Sequence, residues 1–309
     1  MIEAKHLTKR YGKKVAVDEI SFTVQSGRVT GFLGPNGAGK STTMRMILGL
    51  DAQTSGAVRV DGKLYSQLTD PLRSVGALLD AKAIVGGRSA ANHLTWLADS
   101  NGIARSRVAE VLDLVGLADV AGKRVGSFSL GMSQRLGIAA ALLGDPETVI
   151  FDEPINGLDP EGILWIRNLM KSLASEGRTV FLSSHLMSEM AQTADHLLVI
   201  GRGRIIADAT TDEFVNRHTA PSVRVRALQQ TDLAEALTRR GALIECGSDG
   251  AMVVTGMDSA AIGGIASAHD ITLVELSPLG STLEEAYFDL TRDETEFHAG
   301  QLTGSSKGI

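Results

Sequence analysis

One eight-residue segment constrains the fold more than any other part of the 309-residue sequence: Gly34-Pro35-Asn36-Gly37-Ala38-Gly39-Lys40-Ser41. It matches the phosphate-binding pattern G-x-x-x-x-G-K-[ST] throughout, and it lies between a predicted strand, Arg28 to Leu33, and a predicted helix, Ser41 to Leu50. Glycines let backbone N–H groups turn toward a phosphate, and the start of a helix adds a positive dipole end. The alternative, an ordinary glycine-rich turn, does not explain eight agreeing positions in this context.

The loop predicts a site for ATP together with Mg²⁺. We expect residues Gly34 to Thr42 to surround the nucleotide, with the Lys40 ammonium on its β- and γ-phosphates. The Ser41 hydroxyl is a predicted ligand of the metal, because Mg²⁺ prefers oxygen ligands.

Two acids and a histidine follow predicted strands elsewhere in the chain. Asp152 and Glu153 come directly after the apolar run Val149 to Phe151, which is typical of a buried parallel strand. At the carboxyl edge of the sheet, Asp152 would hold Mg²⁺ and Glu153 would polarise the attacking water. His185 follows the strand Thr179 to Ser183 and could donate a hydrogen bond to the γ-phosphate. Without the phosphate loop, the two acids would be interpreted as a turn. An isolated histidine would be interpreted as a surface residue, so the functional interpretation of His185 depends on the family resemblance given below.

The order of the predicted elements indicates two domains and a tail. Strands and helices alternate to about residue 217, which predicts an α/β domain over residues 1–217. After Pro221 the predicted elements follow the order βαββαβ, so we expect a small ferredoxin-like α+β domain over residues 221–291. Residues 292–309 are rich in Gly, Ser, Thr and charge, which predicts a disordered tail.

Composition narrows the expected partners. The net charge is -6, with Lys and Arg scattered along the chain, so nucleic acid is not an expected partner. The single cysteine, Cys246, cannot form an internal disulfide, which fits a reducing cytosolic compartment and equally a secreted protein without disulfides. No run approaches the roughly 18 apolar residues that span a bilayer, so we expect a soluble chain or one held at a membrane by a partner.

The chain resembles the nucleotide-binding subunits of ABC transporters from its start to about residue 217. The segment Phe128 to Arg135 is similar to the LSGGQ signature, with Leu130 and Met132 in place of a glycine and a glutamine. Further matches are the D-loop at Gly157-Leu158-Asp159, the switch histidine at His185 and the adenine-stacking aromatic at Tyr11. The resemblance implies a P-loop NTPase fold of the ABC type with a helical insert.

The resemblance also implies a dimer that encloses two ATP molecules. Ser129 and Gly131 of one subunit would contact the nucleotide held by the other, in a homodimer or a heterodimer with a paralogue. One position departs from the family, because Asp80 stands where other members carry a glutamine. Aspartate is shorter and charged, so Asp80 either reaches Mg²⁺ differently or is a solvated loop acid.

The C-terminal third and the divergent signature resemble the daunorubicin-type drug-resistance exporter ATPases, whose tails carry a segment similar to Thr282 to Tyr287. This implies export of a drug-like, lipid or other small molecule through a separately encoded, multi-spanning permease, at the cytoplasmic face of the membrane. An importer ATPase is one alternative, and a non-transport ABC ATPase acting on ribosomes or DNA is another. Trp96, in the predicted insert, is either an anchor for the permease or a buried core residue.

Overall fold

Apolar runs that are buried on both faces form the central strands, as predicted for a parallel sheet. The computed structural model describes residues 1–218, 222–247, 250–279 and 282–291. These residues divide into two units, with the boundary between Thr211 and Asp212. The predicted tail, residues 292–309, lies outside the described residues.

The first unit alternates strands with helices. Its strands are β1 Ile2–Tyr11, β2 Lys14–Val24, β3 Val29–Leu33, β4 Ser55–Val60, β5 Val75–Leu78, β6 Thr148–Asp152, β7 Thr179–Ser184, β8 His196–Gly201 and β9 Arg204–Thr210. Its helices are α1 Lys40–Ile47, α2 Pro71–Ser74, α3 Ala90–Ser100, α4 Ser106–Leu114, α5 Leu130–Leu142, α6 Pro160–Ser175 and α7 Met187–Thr193.

Two sheets enclose the core of the first unit. A six-stranded sheet has the order β5-β6-β7-β3-β8-β9, parallel except for the β8–β9 hairpin. The other sheet is antiparallel, with the order β2-β1-β4, and its apolar side chains contribute to the core together with those of the six-stranded sheet. The rings of Phe22, Phe32 and Phe181 meet there, with centroids 5.3–6.1 Å apart. The predicted α/β class is confirmed.

The register of the parallel strands brings three loops to one edge of the sheet. β3 lies beside β7, with Leu33 opposite Ser184, and β7 lies beside β6, with Asp152 opposite Ser183. The phosphate loop follows β3, the two acids lie at the end of β6, and His185 follows β7. These segments are therefore neighbours in space, although more than 100 residues separate the first from the second.

The second unit has the predicted ferredoxin-like pattern. Its elements are α8 Thr211–His218, which crosses the boundary, β10 Ser222–Ala227, α9 Gln230–Thr238, β11 Leu243–Cys246, β12 Met252–Thr255, α10 Ser259–Ala268, β13 Leu273–Leu279 and α11 Leu283–Thr291. The sheet is antiparallel, with the order β11-β12-β10-β13. Apolar side chains from α9 and α10 cover its buried face, including Leu233, Leu237 and Ile262.

The interpretation of Trp96 as a core residue is wrong. Trp96 is 51% exposed, and the Arg88 guanidinium lies 4.6 Å from the centroid of its ring. Helix α3 buries Ala90, Leu94 and Ala98, which recur at helical spacing, and Trp96 lies on a different face. Within the described ranges, none of the helices has the length and apolar character that crossing a membrane requires.

Candidate functional site

The phosphate loop joins β3 to α1 and has no room for a side chain at two of its glycines. A Cβ atom at Gly34 would lie 2.4 Å from the carbonyl oxygen of Ile200, and one at Gly39 would lie 2.7 Å from that of Ala16. Gly39 also has a φ of +113°, which favours glycine. Because α1 begins at Lys40, the unpaired N–H groups of its first turn lie at the loop, where they can bind an anion.

The Lys40 side chain is buried beneath this loop. The residue is 6% exposed, and its ammonium donates hydrogen bonds to the carbonyl oxygens of Gly34 at 2.6 Å and Pro35 at 3.2 Å. Burial lowers the pKa of the ammonium, while the charges of Glu153 and Asp152 act in the opposite direction. A phosphate beside the buried Lys40 ammonium would stabilise its charge, and the backbone N–H groups of the loop can bind the same phosphate.

The loop borders a cavity of about 440 Å³, a size typical of small-molecule sites. Most predicted site residues line it: Tyr11, Asn36, Gly37, Gly39, Lys40, Ser41, Thr42, Asp152 and Glu153. The remaining loop residues support it, since Gly34 and Pro35 contact Lys40 and the Ala38 carbonyl accepts a hydrogen bond from the Gly203 N–H at 3.0 Å. Three other lining residues, Lys14, Ala16 and Leu79, are not predicted from the sequence.

Ser183 on β7 organises the two acids at the end of β6. Its hydroxyl donates a hydrogen bond to Asp152 Oδ1, and its oxygen accepts one from the backbone N–H of Glu153 at 3.0 Å. Ser183 is fully buried, so its hydroxyl is shielded from solvent while it makes both contacts. The strand register that pairs Asp152 with Ser183 therefore also fixes where the Asp152 carboxylate lies.

Glu153 and His185 form a direct contact. The Nδ1 atom of His185 lies 2.8 Å from Glu153 Oε2, which is hydrogen-bond distance. The structure thus brings the predicted switch histidine to the predicted base, although the two residues follow different strands. The pair can orient a water molecule or a phosphate oxygen in the cavity that Glu153 lines.

Tyr11 lies at the end of β1 with its ring half exposed at the cavity. Its hydroxyl donates a hydrogen bond to Asp51 Oδ2 at 2.9 Å, and Arg45 Nε donates to the same oxygen at 2.9 Å. The Lys9 ammonium lies 4.8 Å from the ring centroid. These contacts hold a planar ring at one end of the cavity, where it can stack on a base.

Besides His185, which contacts Glu153, and the three supporting loop residues, the predicted residues Ser129, Gly131 and Asp80 also lie outside the lining of this cavity. Ser129 caps α5, its hydroxyl oxygen accepting a hydrogen bond from the Met132 N–H at 3.1 Å, and Gly131 lies in the first turn of the same helix. Asp80 Oδ1 accepts a hydrogen bond from the Lys82 N–H at 2.8 Å, and Asp80 lines a different cavity.

Comparison with known proteins agrees with this geometry. The family model described as "ABC transporter" matches residues 17–156, and that of a domain of unknown function, DUF8746, matches residues 221–284. A solved structure of the ATP-binding subunit of an ABC transporter is 26% identical, with a TM-score of 0.65, over 70% of this chain and 92% of that one. A dimeric ATP-binding cassette bound to ADP and phosphate shares the fold, with 24% identity and a TM-score of 0.63, over 68% of this chain and 99% of that one.

Several bacterial transport proteins are more similar in sequence. The bacitracin transport ATP-binding protein of Bacillus licheniformis is 42% identical over 71% of this chain and 72% of its own length. The lantibiotic transport ATP-binding protein of Streptococcus pyogenes is 37% identical over 70% and 93%, respectively. The linearmycin resistance ATP-binding protein of Bacillus subtilis is 37% identical over 70% and 71%. The chain therefore belongs to the ATP-binding proteins of ABC transporters, and it is an ATPase.

Proposed function

We propose that this ATPase hydrolyses ATP in the cavity beside the phosphate loop and thereby powers export of a small molecule through a separate permease. The observation that carries the proposal is the placement of Lys40, Asp152 and Glu153 around one cavity. The names of similar proteins support export, because those proteins serve bacitracin transport, lantibiotic transport and linearmycin resistance. In this proposal residues 1–217 are the motor domain and residues 221–291 are a separate small domain.

Hydrolysis requires a water molecule placed in line with the bond that breaks. We assign its activation to Glu153, whose carboxylate lines the cavity and can accept a hydrogen bond from that water. His185 holds the carboxylate through its Nδ1 contact and could bind the γ-phosphate with its other nitrogen. The buried Lys40 ammonium would bind the β- and γ-phosphates and balance their charge as the bond breaks.

The residues beside the loop fit Mg²⁺. The Ser41 hydroxyl and the Asp152 carboxylate both line the cavity, and both are oxygen ligands of the kind that Mg²⁺ takes together with phosphate oxygens. Ser183 holds the Asp152 carboxylate through its hydroxyl, as expected for a metal ligand. Bound there, the ion would neutralise charge on the β- and γ-phosphates.

Lys14 is a further contact for the nucleotide. Lys14 begins β2, pairs with Tyr11 at the end of β1 and lines the cavity, whereas its neighbour Lys13 does not. We expect Lys14→Ala to weaken Mg-ATP affinity about two- to fivefold, the range of an exposed ion pair. Titration calorimetry at low ionic strength measures the change, with Lys13→Ala as the matched control. Equal effects of the two substitutions would exclude a specific contact.

The signature residues support a dimeric mechanism. Ser129 and Gly131 do not line the cavity of their own chain, so a role in nucleotide binding would place them at a second subunit's cavity. A second copy of this chain or a paralogue would supply that cavity. The dimeric cassette of the same fold, which is bound to ADP and phosphate, supports this arrangement.

A largely apolar groove of about 550 Å³ fits the coupling to a permease. Its lining includes Leu48, Tyr65, Leu78, Asp80, His93 and Leu97. Leu79 lines both this groove and the nucleotide cavity, so in this proposal its side chain links the two sites. A helical segment of the permease, docked here from the cytoplasmic side, would sense the state of the nucleotide through Leu79 and Asp80.

The test is capture of the permease from membranes of the host. Tagged Glu153→Gln protein, incubated with Mg-ATP and solubilised membranes, is expected to retain a multi-spanning protein in near-stoichiometric amount. Mass spectrometry identifies the protein. Leu97→Ala tests the groove, and Trp96→Ala tests the exposed tryptophan of α3 as an anchor for the permease. Recovery of ribosomes or nucleic acid, or of no membrane protein at all, would overturn the transport proposal.

A further inference from the structure

The backbone of Glu153 adopts a conformation that needs support. Its φ is +51°, in the left-handed region that residues with a side chain rarely occupy. Such a conformation persists where the surroundings fix it. Two buried side chains do so: Ser183 Oγ accepts the Glu153 N–H at 3.0 Å, and Gln134 Nε2 donates to the Glu153 carbonyl at 3.1 Å.

Gln134 lies on α5, in the signature segment. It is 4% exposed, and its bond reaches a residue 19 positions further along the chain. The first turn of α5 also contacts the end of the loop that begins at Glu153. A Cβ atom at Gly157 would lie 2.3 Å from the Leu130 side chain, and one at Gly131 would lie 2.9 Å from the Gly157 carbonyl oxygen. The signature segment thus contacts the loop of residues 153–157 at both ends.

We propose that Gln134 is a positioning residue for catalysis, which sets the direction of the Glu153 carboxylate by holding the backbone of Glu153. The φ angle determines where the Cβ atom points, so a relaxed backbone would move the carboxylate away from His185 and from the water. A displacement of about 1 Å in such a group can reduce a rate about 100-fold. The inference rests on the proposed role of Glu153 as the base.

In the proposed dimer, helix α5 would connect the nucleotide of one subunit with the catalytic acid of the other. Ser129 and Gly131, which would contact the nucleotide of the second subunit, lie in the same helical turn as Leu130 and within five residues of Gln134. A shift of α5 on closure of the dimer would therefore move the support of the catalytic acid in its own subunit. Glu153 of each subunit would be correctly placed only when the signature segment of the same subunit contacts the nucleotide of the other subunit.

A role in positioning differs measurably from a merely structural one. Gln134→Met keeps the length of the side chain and removes the donor. We expect kcat to fall about tenfold or more while KM for ATP stays within about twofold, because the residue does not line the cavity. Gln134→Glu, which places a carboxylate against the carbonyl oxygen, is a second variant and is expected to lose at least as much. Unchanged kcat, or a loss of kcat matched by weaker ATP binding and a lower Tm, would overturn the inference.

A control and a double variant complete the test. Gln230→Met removes a glutamine that also donates to a backbone carbonyl, that of Gly250 at 2.8 Å, and is expected to leave kcat unchanged. In single-turnover assays Gln134→Met should add no further loss to Glu153→Gln, since both act through one group; a further tenfold loss would contradict this. If Glu153→Gln alone turns over normally, the role of Glu153 fails. If only Gln134→Met turns over normally, this inference alone fails.

Discussion

Glu153→Gln is expected to reduce ATP turnover about 10²- to 10⁴-fold, the usual contribution of a positioned general base, while Mg-ATP affinity stays within a few-fold of wild type. The amide has the size of the carboxylate but accepts no proton from water. Its backbone contacts to Ser183 and Gln134 do not depend on the side chain, so the fold of the loop is retained. Phosphate release and titration calorimetry measure the two quantities separately.

The same substitution just before the other end of β6 is the control. Glu147 is exposed just before β6 and does not line the cavity, so Glu147→Gln should leave turnover unchanged.

Because bound ATP is not consumed, Glu153→Gln should also accumulate as a dimer in Mg-ATP, visible by size-exclusion chromatography. Turnover of Glu153→Gln within a few-fold of wild type would exclude Glu153 as the base.

The phosphate loop could be predicted because its signal is local. Eight consecutive residues carry the glycines, the lysine and the hydroxyl, and their spacing matches one known geometry. The ends of β6 and β7 could be predicted for a similar reason, since apolar runs ending in Asp152 and in Ser184 place polar groups at the carboxyl edge of a parallel sheet.

Contacts between distant segments could not be predicted in the same way. Neither the Gln134–Glu153 bond nor the paired contacts of Ser183 follow from spacing, because they depend on how α5 and β7 pack against β6. Lys14 and Leu79 line the cavity for the same kind of reason. A lysine or a leucine is not in itself a sign of a nucleotide site. Lys14 and Leu79 can be assigned to the cavity only once the positions of the β1–β2 hairpin and of β5 are known.

The long first strand, β1, cannot be predicted from the alternation of its residues, for a physical reason. Alternation of apolar and polar residues identifies a half-buried strand, but the register of β1 shifts between Ala4 and Leu7. His6 lies at this irregularity with a φ of +49°, and such a bulge reverses the face of the residues that follow. The pattern therefore changes phase within β1, and no single period describes it.

Lys40→Ala is expected to weaken Mg-ATP binding about 10- to 100-fold, in contrast to Glu153→Gln. Hydrogen bonds to charged groups contribute about 1.5–3 kcal/mol each, and Lys40 is the buried cation of the cavity. Titration calorimetry measures the loss, and Lys171→Ala, on the exposed face of α6, is the matched control. Unchanged affinity in Lys40→Ala would show that the phosphates bind elsewhere.

The pH dependence of binding gives an independent test of the same contact. Burial lowers the pKa of the Lys40 ammonium in the free protein, whereas phosphates beside it would raise that pKa. Binding of Mg-ATP is then linked to protonation of Lys40. The affinity for Mg-ATP is therefore highest below the pKa of Lys40 in the free protein, and it falls as the pH rises through that pKa. Wild type should show this fall on the alkaline side, and Lys40→Ala should not. An alkaline fall of the same size in both proteins would assign the titration to another group and remove Lys40 from the phosphate contact.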